Sequence, residues 1–251
     1  MAVGDNVKFK IGTQAQYDSA SSIDQDALYF TTNTRNLYKG STLYNRNTRA
    51  YTLVIGNKPA GDTEKDCDYL YQEEYASSFY ASLNAEIRSA TSPITLFFRR
   101  GTYNIYDTLY VEGGTNVTII GENRDGTILN EYYNSGSAHT SRNLIQVGGY
   151  ASYYGTIYNG ILCIKDITLK TSGDATYNNG YAVQCCGDLT LDNCTITGSS
   201  QNTHGIYNEG HLTVKDSIIS SCNYGIMARN CVDYSISGNT ITQCSYAIVT
   251  G

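Results

Sequence analysis

The stretch GHLTVKDSIISSCNYGIMARN, Gly210–Asn230, is flanked by two near-copies of itself. GDLTLDNCTITGSSQNTHGIYNE precedes it and CVDYSISGNTITQCSYAIVTG follows it. Each copy opens with a β-rich run, passes a turn-forming patch and ends on a small residue followed by apolar ones. The runs beginning at Ile164, Leu191, Val214 and Ile236 lie 27, 23 and 22 residues apart. Gly180, Gly205, Gly225 and Ala247 form a second series, each followed by Tyr181 or by an isoleucine. Self-similarity at this period marks a solenoid. Apolar residues alternate with polar ones: Leu189, Leu191, Cys194 and Ile196 on one side, Thr190 and Asp192 on the other. That is a strand pattern, not a helical one. A propeller blade needs about 40 residues and a leucine-rich repeat needs its leucine spacing, so the expected fold is all-β, a parallel β-helix whose coils share one core.

Composition agrees. The chain has 251 residues, 24 of them Gly and 24 Tyr, with two Pro, no Trp and a net charge of −6. An acidic chain with few charges is a poor partner for nucleic acid, and no run reaches the ~18 apolar residues of a membrane helix. The first residues lack a basic region followed by an apolar one, so no signal peptide and a cytoplasmic site of synthesis are expected. Eight cysteines are present without a C-x-x-C pair; the expectation is buried free thiols. Cys222 and Cys244 share one coil position. Asp166, Asn193 and Asp216 share another, read either as a ladder of turn residues or as a cation or sugar site built from stacked side chains.

Ahead of the repeats, Ala76, Phe79, Tyr80, Leu83 and Ile87 recur at helical spacing and predict an amphipathic helix that closes the open end of the stack. Short strands are expected at Thr95–Phe98, Thr108–Val111, Val117–Ile120 and Thr127–Leu129. The helix, the turn-like GTY at 101–103 and the run from Leu109 to Leu129 resemble the opening of the pectate-lyase-like right-handed β-helix superfamily. Arg99-Arg100 stand where that family often has prolines. The resemblance implies the fold for residues 67–251 but no single activity, because the family includes lyases, hydrolases, epimerases and binding proteins.

Residues 1–45 differ. DALYFTTNTRNLYKGSTLY reads as a β-hairpin turning at Thr32–Arg35, with residues 46–66 as a linker carrying one strand, Tyr51–Ile55. Gly12-Thr13, Gln16-Tyr17, Leu28-Tyr29-Phe30, Thr32, Thr34 and Leu37-Tyr38-Lys39-Gly40 resemble an N-terminal segment of bacteriophage tail fibres and tailspikes; Asn33 replaces a frequent Asp. The resemblance implies attachment to a virion protein through Tyr29, Phe30, Leu37 and Tyr38, a homotrimer, and a virion location.

The outward charged candidates are Asp192, Glu209, His211, Lys215, Arg229 and Asp233, with an Arg229–Glu209 contact across coils expected. The acidic pairs of polygalacturonases and the Arg-x-Pro-x-x-Arg run of pectate lyases are absent, so no catalytic residue is assigned. His139, His204 and His211 lack metal-ligand spacing; no metal and no cofactor are expected. The tyrosine-rich segment between Glu131 and Gly160 offers Tyr150, Tyr153, Tyr154 and Tyr158 as glycan contacts or as packing residues. Three functions follow: a virion appendage binding bacterial surface polysaccharide, a polysaccharide lyase or hydrolase, and a structural connector. The repeat pattern runs to Gly251, which predicts either a longer protein or a partner chain over that end.

Overall fold

The structure is a computed structural model describing residues 8–31, 37–45, 51–90, 92–111, 115–132, 143–148, 160–172, 180–199 and 203–251. The chain divides into two compact units, Met1–Tyr51 and Thr52–Gly251.

In the first unit, β1 (Phe9–Gly12), β2 (Leu28–Thr31), β3 (Leu37–Lys39) and β4 (Thr42–Asn45) form one sheet in sequence order. The expected hairpin is β2 against β3, antiparallel, with Tyr29 opposite Tyr38. A short helix, α1 (Gln14–Asp18), was not expected. Thr13 caps it and Gln16 answers: Gln16 N–H donates to Thr13 Oγ1 at 3.2 Å and Thr13 N–H to Gln16 Oε1 at 2.8 Å. This reciprocal pair satisfies two helix-end donors.

The second unit begins with β5 (Tyr51–Asn57) and β6 (Tyr69–Tyr71), which are parallel neighbours at the edge of a large sheet. Residues 52–66, expected as part of a linker, therefore belong to the solenoid unit, because β5 supplies the edge on which the first coil is laid. Helix α2 (Ala76–Ser89) follows and buries the five residues expected of it. It packs against β6 and the first coil through Phe79 and Tyr80, in a ring cluster with Tyr71 and Tyr103.

Six three-stranded coils come next. Coil one is β7 (Ile94–Phe98), β8 (Gly101–Ile105) and β9 (Leu109–Val111); coil two is β10 (Asn116–Gly121), β11 (Thr127–Glu131) and β12 (Ile145–Val147). Coil three is β13 (Ile161–Lys165), β14 (Thr168–Thr171) and β15 (Gly180–Cys185); coil four is β16 (Asp188–Asp192), β17 (Thr195–Gly198) and β18 (Thr203–Asn208). Coil five is β19 (His211–Lys215), β20 (Ile218–Ser220) and β21 (Tyr224–Ala228); coil six is β22 (Asp233–Ser237), β23 (Thr240–Thr242) and β24 (Tyr246–Thr250). The first strands of the coils make one parallel sheet, continued by β5 and β6; the second and third strands make two more. The GTY segment expected as a turn opens β8, and Tyr103 is wholly buried, its hydroxyl donating to the carbonyls of Ile55 (3.1 Å) and Arg99 (2.9 Å).

Register follows the repeat. Ile164, Leu191, Val214 and Ile236 are paired in turn, and the first three are fully buried. The second series needs one correction. Tyr181 pairs with His204 and Val183 with Ile206, so Ala182, not Gly180, is the partner of Gly205. A slip of two keeps a strand residue on the same face, so the face pattern alone cannot detect it. Gly205 needs its missing side chain: a Cβ there would strike the carbonyl oxygen of Gly225 one coil on.

Asp166, Asn193 and Asp216 sit at φ of 52°, 53° and 51°, a left-handed turn that Asn and Asp tolerate, and Asn193 Nδ2 donates to Asp166 Oδ1 at 2.6 Å. This is the turn ladder. All eight cysteines are free, but only four are buried as expected; Cys67, Cys163, Cys231 and Cys244 are half-buried. Burial pushes the thiols of Cys185, Cys186, Cys194 and Cys222 up to about 12, which suppresses the reactive thiolate.

Leu191 is fully buried while Thr190 faces out. Leu191→Ala is expected to lower unfolding stability by roughly 2–5 kcal/mol, and Thr190→Ala by no more than about 0.5 kcal/mol. Urea unfolding of the two variants checks this; equal losses would contradict the assigned register.

Candidate functional site

Two outer surfaces of the solenoid concentrate the candidate side chains. The first is the outer face of the first sheet. Its strands pair in register, so outward residues form columns about 4.8 Å apart per coil. One column is Lys165, Asp192, Lys215. Asp192 lies 3.0 Å from Lys215 Nζ and 3.9 Å from Lys165 Nζ. Another column is Asp188, His211, Asp233. His211 Nδ1 meets Asp188 at 2.7 Å, and Nε2 lies 3.9 Å from Asp233. A hydroxyl-bearing column, Thr190, Thr213 and Ser235, runs between them.

Four of the six charged candidates thus share this face: Asp192, His211, Lys215 and Asp233. Glu209 and Arg229 do not. Glu209 accepts the Tyr207 hydroxyl, and among the described residues no ion pair joins it to Arg229; the expected cross-coil contact is not made. Lys165 and Asp188 belong to the face and were not among the candidates.

The hydrogen bond to Asp188 raises the His211 pKa, and the charge of Asp233 adds to this. The imidazolium is the form that bridges both carboxylates. Asp188 and Asp192 lie four residues apart on β16, about 13 Å along the strand at ~3.3 Å per residue. That exceeds the ~5–9.5 Å between the two carboxyl groups of a glycosidase.

The second surface is the outer side of the third sheet. Tyr181, His204, Tyr224 and Tyr246 form a ladder across four coils, with ring centroids 4.8, 5.2 and 4.9 Å apart; the two contacts of His204 are tilted and Tyr224 stacks on Tyr246. Tyr207 lies beside this ladder, 5.3 Å from Tyr181, and Tyr181 Oη reaches Met227 Sδ at 3.7 Å. On β21, Tyr224 and Met227 are half-buried, whereas Gly225, Ile226 and Ala228 are buried, which fixes the outward side. Burial holds the His204 pKa below the ordinary histidine value, favouring the neutral ring. Its Nδ1 is buried without a hydrogen-bond partner. Sequence reasoning passed over this histidine because it sought metal ligands, not a break in a tyrosine column.

A third cluster joins the helical cap to the coils. Glu73 accepts from Asn104 Nδ2 (3.0 and 3.1 Å), from Tyr106 Oη (2.7 Å) and from Tyr71 Oη. Burial works to raise the Glu73 pKa, but these donors outweigh it and the net shift is downward. The carboxylate is thereby occupied by the protein's own donors, a structural tie.

Tyr150, Tyr153, Tyr154 and Tyr158 lie outside the described residues. In the first unit, Tyr29 is buried; its hydroxyl accepts from Asp24 N–H (2.7 Å) and Lys10 Nζ (3.2 Å). Tyr38 stacks on Tyr17 at 4.2 Å. Both tyrosines build that unit. Phe30 and Leu37 pair across the hairpin and are half-buried. A cavity of about 350 Å³ is lined by Lys10, Thr13, Gln16, Tyr17, Tyr29 and Phe30 among others. Among the described residues, no three His, Cys, Asp or Glu side chains converge as metal ligands.

A family model described as a right-handed β-helix region matches residues 158–250. The fold is a right-handed parallel β-helix. The match covers coils three to six, where the columns above reside, and names no activity. No curated protein matches the chain.

The His211 bridge makes a prediction. A raised folded-state pKa means its contribution to stability is full below the unfolded value of about 6.5 and is lost as pH rises through the raised value. In a proton NMR titration, His211 should titrate above 6.5 and His204 below it. Asp188→Asn should return His211 toward 6.5. A His211 that titrates identically in both proteins would refute the bridge.

Proposed function

We propose that the chain is a bacteriophage virion appendage protein of the tail-fibre or tailspike kind. Its first unit holds it to the particle, and its β-helix meets a bacterial surface polysaccharide. One observation carries this reading: the residues that resemble the virion segment build a compact unit of their own. Thr13 and Gln16 close the α1 cap. Tyr17 packs against Tyr29 and Tyr38 and donates to the Gly40 carbonyl at 2.9 Å. Gly40 turns at φ +57°, with the Gln25 backbone 2.7 Å from where a Cβ would stand. The residue order is therefore a folding instruction for that unit, and a matching order supports a matching module.

In this reading the homotrimer typical of such appendages places three rods side by side, and partner virion proteins contact the exposed parts of the first unit. The solenoid supplies rigid reach, because each coil rests only on its neighbours. Its outer columns can vary without disturbing the core.

The test joins mass to binding. Light scattering on a sizing column should give three times the chain mass of 27.5 kDa. The labelled protein should bind bacterial cells that carry a surface polysaccharide and not isogenic cells lacking it, without releasing new reducing ends. A monomer that binds no cell would overturn the proposal. Release of reducing ends from the polysaccharide would replace it with a degrading enzyme on the same scaffold.

A further inference from the structure

Two neighbouring lysines of the first unit are treated differently. Lys8 is paired with Asp24 at 2.9 Å. Lys10, which is exposed, rests instead on Tyr29, 3.2 Å from its hydroxyl and 5.0 Å from its ring centroid. Among the described residues no carboxylate forms an ion pair with it. The Tyr29 hydroxyl also accepts the Asp24 N–H at 2.7 Å, so it holds the ammonium in place without neutralising it. Lys10 lines the cavity of this unit, and no Asp or Glu shares that lining. Gln16 lines it too. Its Oε1 is taken by the Thr13 N–H at 2.8 Å, whereas its Nε2 carries two N–H donors that meet no acceptor among the described residues. The cavity thus presents a cation and amide donors with no anion to receive them.

We propose that this cavity takes the carboxylate of an Asp or Glu side chain on an extended segment of a partner virion protein, which adds to β1 as a further strand. This rests on the virion-attachment reading above and names the chemistry the partner must carry. The strand placement follows from the sheet. β1 is its edge, paired with β2 on one side only, and an open edge offers backbone groups to an incoming strand. Ile11 on β1 is 71% exposed. Successive residues of a strand face opposite ways, so a segment that sets an acid towards Lys10 sets its neighbour towards Ile11, and that neighbour is apolar. The carboxylate accepts from Lys10 Nζ and Gln16 Nε2, and the charge on both sides of the first bond strengthens it. A second copy of this chain does not fit as the occupant. Edge-to-edge pairing through β1 would bring the Lys8 and Lys10 of both copies together, like charge against like.

The probe is a short peptide of alternating Glu and Val, blocked at both ends and titrated into the full chain. Counterparts carry Gln or Lys in place of Glu. The Glu peptide should bind about tenfold more tightly than the Gln peptide, the lower end of what a hydrogen bond to a charged group is worth, and the Lys peptide should not bind. Lys10→Met keeps the aliphatic stem and should erase the preference for Glu, with the thermal midpoint unchanged. Gln16→Glu is the second variant and reads the site should Lys10→Met not fold. Glu can serve the Thr13 cap as Gln does, but it removes the amide donors and adds a like charge, so Glu-peptide affinity should fall by about tenfold or more. Equal binding of the Glu and Gln peptides, a preference that survives both variants, or no binding of any peptide would overturn the inference. Free acetate that displaces the Glu peptide at equal concentration would also overturn it, because the site would then serve small carboxylates and not a segment. Each of these failures leaves the virion reading standing if the trimer and the cell binding are found. Charge-selective peptide binding by a chain that shows neither would keep the carboxylate site and overturn its virion setting.

Discussion

Everything in the solenoid depends on parallel, in-register pairing between successive coils. It places each residue directly over its counterpart one coil away. An apolar position therefore becomes an apolar column, and Ile164, Leu191 and Val214 form a continuous strip of core at full burial. No coil could bury that strip alone. The same rule forces the left-handed turn to recur at Asp166, Asn193 and Asp216. It also constrains charge. Like charges in adjacent coils would face each other at strand spacing and repel, and the Lys165, Asp192, Lys215 column avoids this by alternating sign.

That rule also explains what could be read without coordinates. The spacings of 27, 23 and 22 residues are the register itself, so the repeat, the core columns, the turn ladder and the stacked cysteines were all legible. The cap helix was legible because its five apolar residues obey helical period and all are buried. Misreadings arose where the period was interrupted or never began. Gly180 was misaligned because a strand's two-residue period makes a slip of two invisible. β5 precedes the repeats and has no counterpart in sequence to reveal its pairing. Gly101-Thr102-Tyr103 looked like a turn from its composition, yet Tyr103 is drawn inward by burial and by two backbone carbonyls.

The candidate surfaces were less legible for a different reason. Charged residues were selected one at a time, whereas each ion pair on the first sheet is formed between coils. Counting back one coil from His211 and from Lys215 reaches Asp188 and Asp192, and one more from Asp192 reaches Lys165. The register thus contained the partners, and treating the sites as columns would have found Lys165 and Asp188. It would still have placed Arg229 over Glu209, because Asn208 pairs with Ala228; the contact is not made because Glu209 is taken by the Tyr207 hydroxyl.

Column logic also separates structure from function. Like residues stacked on like, such as the buried aliphatics or the Asp and Asn turns, are explained by the stack and ask for nothing more. Alternating charges are explained by mutual neutralisation. Glu73 is explained by the three side chains that occupy it. A residue that breaks its column without gaining a partner is different, because stacking would favour its replacement. His204 is such a residue: it interrupts a run of tyrosines, is buried, and leaves a ring nitrogen unpaired. In a fold whose repetition accounts for most of its own sequence, such a residue is one that the stacking of coils does not itself explain.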